Sequence, residues 1–201
     1  MVMAEAEFLF DFGSPNAWCA HKLIPKIEAR TGVKFSYTPI LLGGLFKLTG
    51  NQAPMLAFSG VPNKLQYEML ELRRFLAKHK LTQFQMNPHF PVNTLLLMRM
   101  ATAAKLDGAL PAFADAAFRF MWEEPRKMDD PEVAVAALNE AGLDGAALAA
   151  RAQAPEVKAA LVAATEVSAK RGAFGSPSFF IDGELYFGKN TLPEIEERLA
   201  G

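Results

Sequence analysis

The strand-like segments of this 201-residue chain lie near its two ends, and this separation most constrains the fold. Segment 7–12 is a short apolar run rich in Phe that ends at Gly13, as expected for a buried strand. Residues 15–30 have apolar positions at helical spacing, with Pro at the first position and Gly32 just past the end. Segment 33–41 predicts a second strand, so the chain is expected to begin with a parallel βαβ unit.

The middle of the chain is different, because residues 43–172 contain no convincing strand and are rich in Ala towards their end. Apolar spacing and Pro-containing loops predict an all-helical insertion here. Its helices are expected near 64–79, 92–106, 109–123, 131–141 and 155–171.

The end of the chain returns to β structure. Residues 178–181 and 185–187, joined by Asp182-Gly183-Glu184, predict a hairpin with an Asp-Gly turn, and 192–199 predict a closing helix. The element order is that of an α/β thioredoxin-like domain interrupted by a large all-helical insertion. The expected domains are a discontinuous thioredoxin-like domain, 1–42 with 173–201, and a helical insertion domain, 43–172.

Composition excludes several classes of function. A net charge of -1 leaves no basic excess to neutralise phosphates, so we expect no nucleic-acid partner. No run of 18 apolar residues is present, so a membrane span is not expected. Segment 1–12 has two Glu, one Asp and no Lys or Arg, which is unlike a signal peptide and predicts a cytoplasmic protein.

Cysteine and histidine are scarce. The one cysteine, Cys19, cannot form an internal disulfide or a Cys-x-x-Cys redox pair, and we expect it to be buried in the first helix. Three scattered His give no zinc-ligand spacing, so no metal is predicted. His21 and His79 are expected on helix surfaces.

Ser14 precedes the Pro-initiated first helix and has two interpretations. It is a typical N-cap residue, whose side chain accepts a hydrogen bond from a free backbone N–H. The helix N-terminus also favours an anion, and a hydroxyl that donates to a thiolate there lowers the pKa of the thiol. Both interpretations remain open, and the second makes Ser14 a candidate catalytic residue.

The segment GAFGSPSFF, residues 172–180, immediately precedes the predicted hairpin. Thioredoxin-like folds hold a cis-proline at the position of Pro177, facing the N-terminus of the first helix. In that case the backbone of Ser176 is available to an extended ligand. The alternative is an ordinary proline that begins a strand.

Together, FDFGSPNAW and FGSPSFFIDGELYFGKN resemble the glutathione-dependent 2-hydroxychromene-2-carboxylate isomerases and the kappa-class glutathione transferases, which have a DsbA-like thioredoxin fold. Members carry D-F-x-S-P near the start, a short G-x-P-T/S-x-F strand and a G-[SN]-D turn before the last helix. The resemblance covers essentially the whole chain. It implies that glutathione is the cofactor.

The resemblance also implies roles for individual residues. Ser14 matches the serine that contacts the glutathione sulfur, and Ser176 with Pro177 matches the pair whose backbone binds the tripeptide. The residues matching the turn that holds the γ-glutamyl end are Gly188, Lys189, Asn190 and Thr191.

This turn departs from the pattern of the relatives. Asn190 stands where they usually have Asp, whose carboxylate would pair with the ammonium group of the ligand. We therefore expect weaker glutathione binding, with Lys189 contacting the γ-glutamyl carboxylate instead.

Four polar residues of the insertion are further candidates. Asn63 and Lys64 begin a predicted helix, and the resemblance places them at the mouth of the site, Asn63 towards glutathione and Lys64 towards an acidic substrate. The alternative is a helix cap followed by a solvated lysine. Lys47 and Asn51 are similar substrate-binding candidates.

The stretch MNPHFPVNT, residues 86–94, places His89 between two prolines. A lone loop histidine is often structural or simply exposed. The matching stretch of the isomerases lies by the aromatic substrate, so His89 is also a candidate for proton transfer or substrate binding.

These observations lead to three hypotheses. The first is a homodimeric isomerase that acts on an unsaturated aromatic-derived carboxylate by transient addition of the glutathione thiolate. The second keeps glutathione and changes the chemistry to transfer or peroxide reduction, as in the kappa class. The third is a non-catalytic DsbA-like binding protein.

Overall fold

Four strands form one sheet in the order β2-β1-β3-β4 in the computed structural model, which describes residues 4–201. β1 is parallel to β2 and antiparallel to β3, and β3 pairs with β4 as a hairpin. The strands are β1 Ala6–Phe10, β2 Phe35–Pro39, β3 Ser178–Ile181 and β4 Glu184–Phe187.

Most of the helices follow β2 and precede β3 in the sequence, and helices cover the sheet. Within residues 4–201 there are ten α-helices and one short 3₁₀-helix, Lys189–Thr191. The α-helices are α1 Pro15–Thr31, α2 Leu42–Thr49, α3 Pro54–Ala57, α4 Pro62–His79, α5 Leu95–Leu106, α6 Leu110–Trp122, α7 Pro131–Glu140, α8 Gly145–Arg151, α9 Pro155–Lys170 and α10 Leu192–Ala200. No helix in this described part of the chain is long and apolar enough to cross a membrane.

The predicted fold class is confirmed. The parallel βαβ unit is present, and α1 begins at Pro15 and ends before Gly32, which has a left-handed φ of 75°. The hairpin turns at Asp182 and Gly183, whose φ values of 49° and 85° suit the tight turn that an Asp-Gly pair favours.

The prediction of the insertion was incomplete. α4, α5, α6, α7 and α9 correspond to the five predicted helices, whereas α2, α3 and α8 were not predicted. These three are short, with eight, four and seven residues, and a segment of that length carries little helical periodicity.

The first two strands are shorter than predicted. β1 ends at Phe10 because Asp11 leaves the sheet, and its carboxylate accepts hydrogen bonds from loop N–H groups instead of lying along the strand. β2 covers only 35–39 of the predicted 33–41.

One hydrophobic core joins the sheet to the insertion. Phe8 and Phe10 of β1 belong to the same buried cluster as Phe113 and Phe118 of α6. The Trp122 indole donates to the backbone oxygen of Phe12 at 2.8 Å, which ties the end of α6 to the end of β1. The domain boundaries at 42/43 and 172/173 stay a prediction.

Two predictions about side chains of α1 had different outcomes. Cys19 is fully buried as predicted, and burial raises the pKa of its thiol to about 12. The prediction that His21 lies on the surface was wrong. Its ring stacks on Phe118 and lies 3.0 Å from the Tyr37 hydroxyl and 2.9 Å from an Asp115 carboxylate oxygen.

Candidate active site at the start of α1

The hydroxyl of Ser14 makes two hydrogen bonds, and both hold it at the first turn of α1. Its hydroxyl oxygen accepts from the Ala17 N–H at 3.1 Å, so the N-cap interpretation is confirmed. The same hydroxyl donates to the carbonyl oxygen of Ser176 at 2.8 Å. The capping geometry therefore also places Ser14 against the loop before β3, where it is only 6% exposed.

The Ser176–Pro177 peptide bond is cis, as predicted. The Ser176 hydroxyl accepts from the Asp11 backbone N–H at 3.1 Å, which adds a second connection between this loop and the end of β1. Pro177 is buried, while Ser176 is partly exposed. The backbone of Ser176 therefore lies beside the N-terminus of α1.

The first turn of α1 leaves one backbone donor without a helical or capping partner. A helix N-terminus has several N–H groups that no preceding turn can satisfy. Pro15 has no N–H, and the N–H of Ala17 is bound by Ser14. The N–H of Asn16 is the remaining donor, and the partial positive charge of the helix end favours an anion next to it.

Asp11 was not among the predicted site residues, yet it organises this region. Its carboxylate accepts from the N–H groups of Gly13 and Leu42, each at 2.8 Å, and is also hydrogen-bonded by the Thr94 side chain. Burial raises the pKa of Asp11, and these three hydrogen bonds act in the opposite direction. The position of Asp11, a charged residue directly after the apolar strand β1, could have indicated this role from the sequence.

The turn 188–191 lies directly against the cis-proline. The Gly188 N–H donates to the Pro177 carbonyl oxygen at 3.0 Å, and the Thr191 hydroxyl donates to the Gly188 carbonyl oxygen at 2.8 Å. The structure thus brings together Ser14, Ser176, Pro177 and this turn. Their roles towards a ligand stay predictions.

Lys189, which was expected to contact a ligand carboxylate, has a charged partner within the protein. Its side chain is 4% exposed, forms an ion pair with Glu71 of α4 and lies over the Phe75 ring, with Nζ 4.9 Å from the ring centroid. Asn190 donates to the other Glu71 oxygen at 3.0 Å. The ammonium group of Lys189 is therefore paired within the protein, and its role towards a ligand stays a prediction.

Asn51 lies near the cis-proline loop, but its amide is occupied. The Asn51 Nδ2 donates to the Phe174 carbonyl oxygen at 2.8 Å, two residues before Ser176. Lys47 is exposed on the last turn of α2 and, within residues 4–201, is in no ion pair. Their substrate-binding roles stay predictions.

Asn63 and Lys64 are both exposed on the first turn of α4. The Lys64 Nζ lies 3.5 Å from the centroid of the Phe58 ring. No hydrogen bond or ion pair among the described residues joins either residue to the cluster around Ser14, so their predicted roles remain untested.

His89 is exposed, and its backbone N–H donates to the buried Asn87 side chain at 2.9 Å. Its loop contains a second cis bond, Phe90–Pro91. The described contacts do not bring the His89 ring to Ser14, so its predicted role stays a prediction.

The fold and the site define a class of protein. A buried hydroxyl at the start of a helix, opposite a cis-proline on a four-stranded sheet, is the arrangement of a thioredoxin-like domain without its redox cysteines. The family of DSBA-like thioredoxin domains matches residues 6–200, and the chain belongs to this family.

Two groups of curated proteins are similar to the whole chain. A 2-hydroxychromene-2-carboxylate isomerase of Sphingobium xenophagum is 28% identical over 198 residues, which cover 96% of both chains. Glutathione S-transferase kappa 1 of Homo sapiens is 27% identical over 215 residues, covering 97% of this chain and 90% of the relative. The predicted resemblance is therefore confirmed at the level of distant similarity.

Solved structures show the same fold. A 2-hydroxychromene-2-carboxylate isomerase superposes with a TM-score of 0.81 at 20% identity, covering 96% of this chain and 93% of the other. A probable DsbA oxidoreductase from Streptomyces coelicolor has a TM-score of 0.73 at 21% identity, covering 98% and 88%. These likenesses support the thioredoxin-like fold with a helical insertion between its strands.

Proposed function

We propose that this protein is a glutathione-dependent isomerase of the 2-hydroxychromene-2-carboxylate isomerase type, acting on an unsaturated aromatic-derived carboxylate. The observation that carries the proposal is the position of the Ser14 hydroxyl, at the N-terminus of α1 and 2.8 Å from the carbonyl oxygen beside Pro177. Ser14 and Ala17 have the spacing of a Cys-x-x-Cys pair but carry no sulfur. In this proposal the reactive sulfur therefore comes from a ligand.

The residues at the site fit a thiol tripeptide. The Asn16 N–H and the end of α1 favour a thiolate, and a hydroxyl that donates to it lowers the pKa of the thiol further. Bound glutathione would supply a thiolate that adds to the substrate double bond and leaves again, so that glutathione is regenerated.

Ser14 has a second part in this proposal. A hydroxyl has one proton to donate, and here the Ser176 carbonyl oxygen accepts it. Rotation of this hydroxyl towards a ligand sulfur would release the Ser176 carbonyl oxygen. That oxygen has two lone pairs, so the rotation leaves both of them available to ligand N–H groups.

Exposed lysines support an acidic substrate. Lys47 of α2 and Lys64 of α4 extend into solvent from the helices that follow β2, where a substrate carboxylate would find a counter-charge. We also propose a cytoplasmic homodimer, because a single cysteine that forms no internal disulfide suits a reducing compartment and members of the resembled families are commonly dimers.

The second candidate is a kappa-like glutathione transferase or peroxidase, favoured by the 27% identity to the human kappa transferase over 97% of the chain. Two assays separate it from the isomerase. With 2-hydroxychromene-2-carboxylate and a trace of glutathione, an isomerase changes the substrate absorbance while free thiol stays constant. With 1-chloro-2,4-dinitrobenzene, a transferase consumes thiol in proportion to product.

Calorimetry with glutathione tests the common premise of both enzymes. Folded protein that releases no heat with millimolar glutathione would contradict both, and it would favour the third hypothesis, a non-catalytic DsbA-like binding protein.

A further inference from the structure

A groove of about 240 Å³ lies between α4 and the start of α10, at the far end of the turn that contacts the cis-proline. Glu71 and Arg74 of α4 line one wall, and Asn190 with Pro193 lines the other. The groove thus shares Asn190 with the turn 188–191, and that turn contacts Pro177 through Gly188.

Glu71 is held in a fixed position on this wall. Lys189 binds one of its carboxylate oxygens and Asn190 the other, so the carboxylate is fixed from the side of the turn. A carboxylate can accept about four hydrogen bonds, so about two acceptor positions remain. The Glu71 side chain is 25% exposed, which leaves the carboxylate open towards the groove.

Positive charge lies along the same wall. Arg74 and Lys78 follow Glu71 by three and seven residues, which places all three on one face of α4. Both line the groove, and within residues 4–201 neither is in an ion pair. The groove therefore offers a fixed anion next to unpaired cations, which complements the paired ammonium and carboxylate groups of an amino-acid end.

We propose that Glu71 recognises the α-ammonium group of a γ-glutamyl thiol, and that Arg74 faces the α-carboxylate of the same group. This inference rests on the proposed function, because it assigns the end of the ligand whose sulfur lies at Ser14. Asn190 cannot supply this charge itself, since its amide is neutral and already donates to Glu71. The carboxylate comes instead from Glu71 of α4, which lies 119 positions before Asn190 in the sequence.

The span between the two ends of the ligand is compatible with this assignment. Gly188 is hydrogen-bonded to Pro177 at 3.0 Å, and Asn190 follows two residues later. Two consecutive Cα–Cα links cover at most about 8 Å. The groove therefore begins within the length of a tripeptide from the cis-proline.

The test compares two ligands that differ in the ammonium group alone. Glutathione and glutaryl-cysteinyl-glycine, which lacks the α-amino group, are titrated calorimetrically into the wild type, Glu71→Gln and Glu68→Gln. Glu68 is an exposed carboxylate three residues earlier on α4 and does not line the groove, so it controls for the loss of negative charge. We expect Glu71→Gln to weaken glutathione binding about 10- to 100-fold and to leave the deaminated ligand unchanged, because a charge-assisted hydrogen bond contributes about that much.

The alternatives give different results. If Glu71 only holds Lys189 in place, Glu71→Gln weakens the binding of both ligands equally, and the proposal is overturned. Equal affinity of both ligands for the wild type also overturns it, while glutathione binding itself stands. If the wild type binds neither tripeptide, the proposed function falls as well.

A second variant covers the case in which Glu71→Gln fails to fold. Glu71→Gln combined with Lys189→Met removes the buried cation together with its partner, so no unpaired charge is left inside. We expect the double variant to have lost the preference for glutathione over the deaminated ligand that Lys189→Met alone retains. Unchanged discrimination between the two ligands would contradict the proposal.

Discussion

The Ser14 hydroxyl donates a 2.8 Å hydrogen bond to the carbonyl oxygen of Ser176, across 162 residues of sequence. This contact joins the first turn of α1 to the loop before β3. Because the same hydroxyl also accepts from Ala17, Ser14 caps the helix and contacts the cis-proline loop at once. The helix cap and the contact with the cis-proline loop are therefore two parts of one geometry.

Ser14→Ala is expected to lower both stability and thiolate binding. The variant loses a helix cap, which costs about 1 kcal/mol of unfolding free energy. It also loses the donor to a ligand sulfur, so the thiol of bound glutathione is expected to have a higher pKa than in the wild type. Urea unfolding measures the first effect, and thiolate absorbance near 240 nm across a pH series measures the second.

A matched variant separates the two effects. Asp130→Ala removes the cap of α7, where the carboxylate accepts from Glu132 and Val133, and it leaves the cluster around Ser14 intact. We expect a similar loss of stability and no change in the thiol pKa. An unchanged thiol pKa in Ser14→Ala as well would mean that Ser14 acts only as a cap.

The elements that the sequence predicted correctly have local signals. Pro15 and Gly32 mark the two ends of α1, and Asp182-Gly183 marks the hairpin, because each depends on the conformational preference of one or two residues. Ser14 and Pro177 were found in the same way. The conformational preferences of single residues were therefore sufficient to predict helix ends and tight turns.

The missed features depend on contacts distant in sequence. Glu71 lies 118 residues from Lys189, and no pattern within α4 distinguishes it from the other acidic residues of the helix. His21 looked like a surface residue, since only the packed structure places Phe118 and Tyr37 over it. Likewise, no sequence pattern indicated that Lys189 pairs with Glu71.

Asp11 predicts a particular dependence of stability on pH. Its pKa is raised above the ordinary value of 3.8, so the native state holds the proton more tightly than the unfolded chain. The contribution of Asp11 to the free energy of unfolding therefore falls as pH rises from about 3.8 through the native pKa. Asp11→Asn has no titratable group at this position. We therefore expect the free energy of unfolding of the wild type, relative to that of Asp11→Asn, to decrease over this pH range.

Urea unfolding between about pH 4 and pH 7 measures this difference. Asp144→Asn is the control, because Asp144 caps α8 with an exposed carboxylate. A wild-type advantage over Asp11→Asn that grows with pH would show that the hydrogen bonds from Gly13 and Leu42 outweigh burial.

Cys19 is expected to be chemically inert in the folded protein. Its side chain is fully buried, and burial raises the pKa of the thiol to about 12. At pH 8 only about one thiol in 10⁴ is then ionised, and the thiolate is the reactive form. Iodoacetamide should therefore label Cys19 slowly in buffer and rapidly in denaturant, as followed by intact mass. Rapid labelling of native protein would contradict the buried position.

The last prediction concerns the unequal burial of Lys189 and Glu71. Removing one partner of a buried ion pair costs most when the charge left behind is cut off from water. Lys189 is 4% exposed and Glu71 is 25% exposed, so the charge left by Glu71→Gln is the more deeply buried one. We expect Glu71→Gln to lower the free energy of unfolding by about 2 kcal/mol and Lys189→Met to lower it by about 1 kcal/mol or less. The double variant should lose less than the sum of the two, because it strands neither charge. Urea unfolding of the wild type, the two single variants and the double variant measures this coupling. If Lys189→Met loses more unfolding free energy than Glu71→Gln, the prediction is contradicted, and the unpaired Glu71 carboxylate is then the more costly charge to leave behind.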